Sequence, residues 1–154
     1  MQLTVFVVLS LVTAAVSVVV IWVAWQYRET EGVPELLVFN TGVFIWTAGN
    51  ALQRAVVTES AKIFTINVQY IGIALVPIGI YAFAAQFTGR KQWARGIRIG
   101  AVAAPLVALV VLTWTNHWHH LVRTENLKVV EQTGIVVDTF MELDRSAAWG
   151  PAFW

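Results

Sequence analysis

The stretch LTVFVVLSLVTAAVSVVVIWVAW, residues 3–25, contains no charged side chain. A helix rises about 1.5 Å per residue and needs roughly 20 predominantly apolar residues to cross the hydrocarbon layer of a bilayer, a length this run meets. Its only polar interruptions are Thr4, Ser10, Thr13 and Ser17. Their hydroxyls can bond back to carbonyls of the preceding turn and so sit in lipid at little cost. No basic residue precedes the run, and it is too long for the apolar core of a secretory signal, so it reads as an uncleaved span.

Working outward, three further runs have the same character. The spans expected from the sequence are about 3–26, 34–57, 61–87 and 97–116, with Pro34 suited to a first helical turn. The links are short, which forces antiparallel neighbours. The exception is an extracytoplasmic loop over 117–148, where Glu125, Glu131, Asp138, Glu142 and Asp144 are interleaved with Arg123, Lys128 and Arg145. Such a segment belongs in water, with some local structure around Gly134 to Val137. Trp149 to Trp154 then resembles the first turn of another span. The expected fold is therefore all-α, a polytopic transmembrane helix bundle of four spans plus the start of a fifth, with residues 1–154 forming part of a larger membrane domain.

Composition agrees. Hydrophobic residues make up 58% of the chain and charged residues 12%, with a mean hydropathy of +0.68. That is more apolar surface than a domain of this length can bury against itself, so a lipid bilayer is its natural partner. Trp22, Trp25, Trp46, Trp93, Trp114, Trp118 and Trp149 fall mostly at the ends of apolar runs, as an interfacial aromatic belt requires. A net charge of +1 excludes a polybasic nucleic-acid binder. Cysteine is absent, so no disulfide or thiolate metal site exists. Arg90, Lys91, Arg95 and Arg98 crowd the link after the third span and Arg28 follows the first. Basic residues collect in cytoplasmic loops, which places these links inside and the amino terminus outside the cell membrane. Arg54 and Lys62 fall on the other side.

Polar groups inside the spans have two readings. Gly42, Trp46, Gly49 and Gln53 share one stripe of the second span, with Asn50 beside it. Asn67, Tyr70, Ala74, Pro77 and Tyr81 share a stripe of the third, and Gln69 is placed on another face. Pro77 frees the carbonyl of Ile73, a break of the kind that lines internal cavities. If the stripes face each other, Trp46, Asn50, Gln53, Asn67, Tyr70 and Tyr81 form a small ligand-binding pocket. Otherwise the same amides and hydroxyls only bond across helices, at about 0.6 kcal/mol each. Gly96, Gly100, Ala103, Ala104 and Pro105 suggest a tight helix contact with a kink.

His117, His119 and His120 follow the fourth span, beside Asn116 and Trp118. Three imidazoles invite a metal, but a closed zinc site wants four ligands and no Cys is present. An interfacial cap on the negative end of the helix accounts for the cluster without a metal, and a pH-sensing role stays open. No metal or other cofactor is expected. No Walker loop, nucleophile elbow, H-E-x-x-H or paired intramembrane carboxylate occurs, so the chain itself carries no catalytic module.

Three strings then become informative together: Gln69-Tyr70-Ile71-Gly72-Ile73-Ala74-Leu75-Val76-Pro77, Phe83-Ala84-Ala85-Gln86-Phe87-Thr88-Gly89-Arg90, and Thr115-Asn116 with His119-His120-Leu121. In order and spacing they resemble the N-terminal seven-transmembrane region of prokaryotic sensor histidine kinases. The resemblance implies a membrane sensory input domain of a two-component system with an outside amino terminus. It further implies a homodimer through the full-length protein, and a cytoplasmic signalling module that acts on a response regulator. The full-length protein would be a protein histidine kinase. The family often carries an acid where this chain has Gln53, and none of the three His residues is the phosphoacceptor. A transporter or channel subunit, a purely structural subunit, and a sensor driving a cyclase or phosphodiesterase are the alternatives the residues leave open.

Overall fold

A computed structural model describes residues 5–56, 58–122, 129–133 and 139–143. Four long helices dominate it: α1 (Val5–Gln26), α2 (Val33–Ala55), α3 (Glu59–Phe87) and α4 (Gly96–Trp114). Each begins and ends within about two residues of the expected boundaries. Lys91–Ala94 forms a 3-10 turn before α4, and α5 (Asn116–His119) is a single turn after it. Two strands, β1 (Val129–Thr133) and β2 (Thr139–Leu143), pair antiparallel with Thr133 opposite Thr139. The all-α fold class expected from the sequence stands, with this one short strand pair beside the helices. The expected turn at Gly134 to Val137 and the start of a fifth span at Trp149 to Trp154 lie outside the described residues.

Among the described residues, three helices are long and apolar enough to cross a membrane: Val7–Gln26, Ser60–Phe87 and Gly96–Trp114. Of the four expected spans, α2 is the one that is not among these three. That helix has spanning length, yet Glu35, Asn40, Thr41, Thr47, Asn50, Gln53 and Arg54 lower its hydropathy. It is also the helix that α1 and α3 enclose most closely. A helix covered by neighbours on two sides can carry groups that lipid would reject.

The helices pack antiparallel in sequence order. Asn40 Nδ2 donates to the Ser17 carbonyl at 2.8 Å, tying α2 to α1. Phe39 meets Gly79 near one end of the α2–α3 pair, while Gly49 meets Gln69 near the other. Trp114 Nε1 donates to the Asn67 carbonyl at 3.3 Å and its ring stands edge-on to Phe64 at 6.1 Å, tying α4 to α3. The bundle thus has two ends. One holds the α1–α2 and α3–α4 links; the other holds the α2–α3 link and α5.

The side chains turned inward are small or polar, and those turned outward are large and apolar. On α1, Val7, Ala14, Ser17 and Ala24 are buried while Leu9, Val12, Val16, Val19 and Trp22 are bare. α4 is bare along almost its whole length. Water would exact roughly 25 cal/mol for each Å² of that apolar surface, whereas acyl chains exact nothing comparable. Thr13 Oγ1 returns to the Leu9 carbonyl at 2.9 Å, as expected of a hydroxyl on a lipid-facing helix.

Candidate functional site

The closest approach in the bundle is between α2 and α3, and glycine permits it. A Cβ placed on Gly72 would lie 2.6 Å from the Trp46 nitrogen and 2.7 Å from the Gly42 oxygen, and one on Gly79 would lie 2.5 Å from the Phe39 nitrogen. At these levels the two backbones touch, and no space for a ligand is left between them. Small residues at such crossings are how helices associate in lipid, where no hydrophobic force draws them together.

Toward the α2–α3 link the same seam becomes polar. Gln69 Nε2 donates to Gln53 Oε1 at 2.8 Å, and both residues are buried. Gly49 makes room for this, because a Cβ there would sit 2.5 Å from Gln69 Cγ. Lys62, only 1% exposed, reaches back to the Gln53 carbonyl at 2.9 Å. That carbonyl belongs to the last turn of α2, where carbonyls lack helical partners and the helix dipole is negative, so an ammonium suits it. Thr65 Oγ1 closes onto the Lys62 carbonyl at 2.9 Å. The buried face of α3 therefore runs through Lys62, Thr65, Gln69, Gly72 and Gly79. Gln69 is on a different face from Asn67, Tyr70 and Tyr81, as expected, and it is that face, not the expected stripe, that points into the seam.

The six expected pocket residues lead in different directions. Gln53 lies in the seam. Asn50 Oδ1 accepts from Arg54 Nε at 3.0 Å within α2. The Trp46 backbone lines the glycine crossing, while the residue as a whole is 43% exposed. Asn67 is turned toward α4 through its carbonyl. Tyr70 and Tyr81 are half-buried on α3. Lys62, Gln69 and Asn40 were missed as functional candidates. Gly72 and Gly79, one heptad apart, carried the signal that would have picked out the correct face of α3.

At the end that holds the α1–α2 link is a cleft of about 360 Å³, lined in part by Arg28, Glu31, Glu35, Gln86, Lys91 and Arg95. Lys91 Nζ is ion-paired with Glu31, and Arg28 with Glu29 at 3.4 Å. Gln86 Nε2 donates to Glu35 Oε1 at 2.9 Å. Among the described residues, Glu35 Oε2 and Gln86 Oε1 are buried without a hydrogen-bond partner. Gly32 precedes α2 in the left-handed region, at φ 85°, a conformation that glycine adopts without strain.

At the opposite end the histidines cap a turn. The Leu121 N–H donates to His119 Nδ1 at 3.1 Å, so the neutral ring carries its proton on Nε2, 3.0 Å from Thr115 Oγ1. Asn116 Oδ1 accepts from the Val122 N–H at 2.9 Å, and His120 is left-handed at φ 50°. Both His119 nitrogens are thus engaged inside the turn. Among the described residues no three His, Cys, Asp or Glu side chains gather as a metal ion would require.

Compared with known proteins, the chain matches one family, described as the N-terminal 7TM region of histidine kinase, over residues 9–154. No curated protein and no solved structure matches it.

Proposed function

The chain belongs to the family of N-terminal 7TM regions of histidine kinases, and from that premise we propose that it is the membrane-embedded sensory input of a two-component kinase. A stimulus shifts the packing of α2 against α3, and the shift passes to a cytoplasmic module and on to a response regulator. The observation that supports this reading is the Gln53–Gln69–Lys62 seam beside the Gly42–Gly72 crossing. Tightly packed interfaces switch between discrete arrangements rather than deform smoothly, and a polar seam at membrane depth has few ways to satisfy its groups. Of the residues expected to meet a ligand, Gln53 is retained as the switch. Trp46, Asn50, Asn67, Tyr70 and Tyr81 are positions from which a stimulus would reach it.

Three further elements complete the proposal. α2 crosses the bilayer with α1 and α3, its polar face covered by them. The end bearing Arg28, Arg90, Lys91, Arg95 and Arg98 is cytoplasmic, which puts the amino terminus outside. The full-length protein works as a homodimer.

The test uses full-length protein in proteoliposomes, with autophosphorylation as the readout. Gln53→Leu, Gln69→Leu and the double variant should each change the basal phosphorylation rate several-fold while the protein stays folded. Folded variants with an unchanged rate, or a gene that encodes no signalling module after residue 154, would refute the proposal.

A further inference from the structure

The link between α3 and α4 is built for an anionic membrane surface, and the arrangement of its charges is more specific than their number. Residues 88–98 contain Arg90, Lys91, Arg95 and Arg98 and no acid. Lys91 is neutralised by Glu31, and the nearby Arg28 by Glu29. Arg90, Arg95 and Arg98 have no carboxylate partner among the described residues, and all three are exposed. Arg90 and Arg98 converge on one ring: their guanidinium carbons lie 5.1 Å and 4.9 Å from the centre of the Trp93 indole. Each contact with the ring is favourable, and together they gather two cations at one indole with no carboxylate among the described residues paired to either.

The level at which this happens identifies the anion. Phe87 closes α3 and is 76% exposed, and Ile97 opens α4 and is 87% exposed. Both belong against acyl chains, so Trp93 and its two arginines stand where the hydrocarbon gives way to headgroups. At the same end of the bundle Arg28 lies 5.0 Å over Trp25, in the last turn of α1. An indole at headgroup depth that carries guanidinium groups on its face presents them to lipid phosphates, which are the fixed anions of that layer.

We propose that Arg90 and Arg98, positioned by Trp93 and supported by Arg95, bind the headgroups of anionic phospholipids in the leaflet facing the α3–α4 link. The site goes beyond the sensory reading and does not depend on it: it requires only that α3 and α4 span the bilayer. Each basic side chain at a charged leaflet contributes about a fivefold preference, so removing two is expected to lower selectivity about 25-fold.

The experiment places the protein in phosphatidylcholine bilayers containing a minority of phosphatidylglycerol. Spin-labelled lipids give the association constant of one lipid relative to the other, and a photoactivatable phosphatidylglycerol maps the contact. Wild-type protein should select phosphatidylglycerol and crosslink within residues 88–98. R90Q/R98Q should lose about 25-fold of that selectivity, R90K/R98K should keep most of it, and R54Q at the other end should change nothing. Equal association of both lipids, crosslinks confined to other regions, or R90Q/R98Q within twofold of wild type would each overturn the proposal. So would loss of selectivity on adding millimolar inorganic phosphate, which would assign the site to a soluble anion. If R90Q/R98Q does not fold, the single variants R90Q and R98Q replace it, each expected to lose about fivefold.

Discussion

Replacing Gly72 with alanine adds one methyl group at the tightest point of the α2–α3 crossing. The new carbon would stand 2.6 Å from the Trp46 nitrogen, 2.7 Å from the Gly42 oxygen and 3.1 Å from the Trp46 α-carbon. All three are backbone atoms, so no rotamer change relieves the clash and α2 must retreat as a body. Ordinary contact begins near 3.4 Å, which sets the retreat at about 0.8 Å. Overpacking of this kind costs about 1–3 kcal/mol. Part of that cost arises at Gln53 and Gln69, whose 2.8 Å bond spans the same interface. Gly100 is the internal control, because a Cβ there meets nothing within 4 Å. Gly100→Ala should be neutral or gain up to about 1 kcal/mol from the better helix propensity of alanine. The assay is unfolding in mixed micelles of rising dodecyl sulfate content, followed by tryptophan fluorescence. A Gly72→Ala protein as stable as wild type, or equal losses in the two variants, would refute the crossing described here.

Two further outcomes follow from the buried polar groups. In a double-mutant cycle, Gln53→Leu and Gln69→Leu should each destabilise the bundle and should couple by about 0.6–1.7 kcal/mol in the same unfolding assay, because each single change strands the other amide; additive losses would contradict the bond. Glu35→Gln should stabilise the protein by about 1 kcal/mol, since an amide at 35 both accepts from Gln86 Nε2 and offers a donor to the orphaned Gln86 Oε1. A loss of stability there would mean that the carboxylate is already satisfied.

The spans at α1, α3 and α4 were legible because lipid asks only for length and apolarity, and both are properties of a run of residues rather than of a face. The boundaries of α1, α3 and α4 came within about two residues for that reason. Which face of α3 meets α2 was not legible from polar periodicity, since Asn67, Tyr70 and Tyr81 form as regular a stripe as Lys62, Thr65 and Gln69. What separates the two stripes is backbone proximity, and its marker is glycine: Gly72 and Gly79 belong to the second. From the sequence Lys62 is only a charge on the side opposite the arginine-rich link, in the first turn of a span expected from residue 61. The helix begins at Glu59, one half-turn earlier, which carries Lys62 under the end of α2. The β1–β2 ladder had only turn chemistry around Gly134 to announce it.

The sidedness of the two ends of the bundle tests the central claim most directly. The chain has no cysteine, so Gln92→Cys in the α3–α4 link and His117→Cys in α5 are unique labels. Labelled with an impermeant maleimide in sealed vesicles of one orientation, the two should report opposite compartments, one reacting only after the vesicles are opened. Equal labelling of both from the same side would mean that α4 does not cross the bilayer, and the account would fall with it.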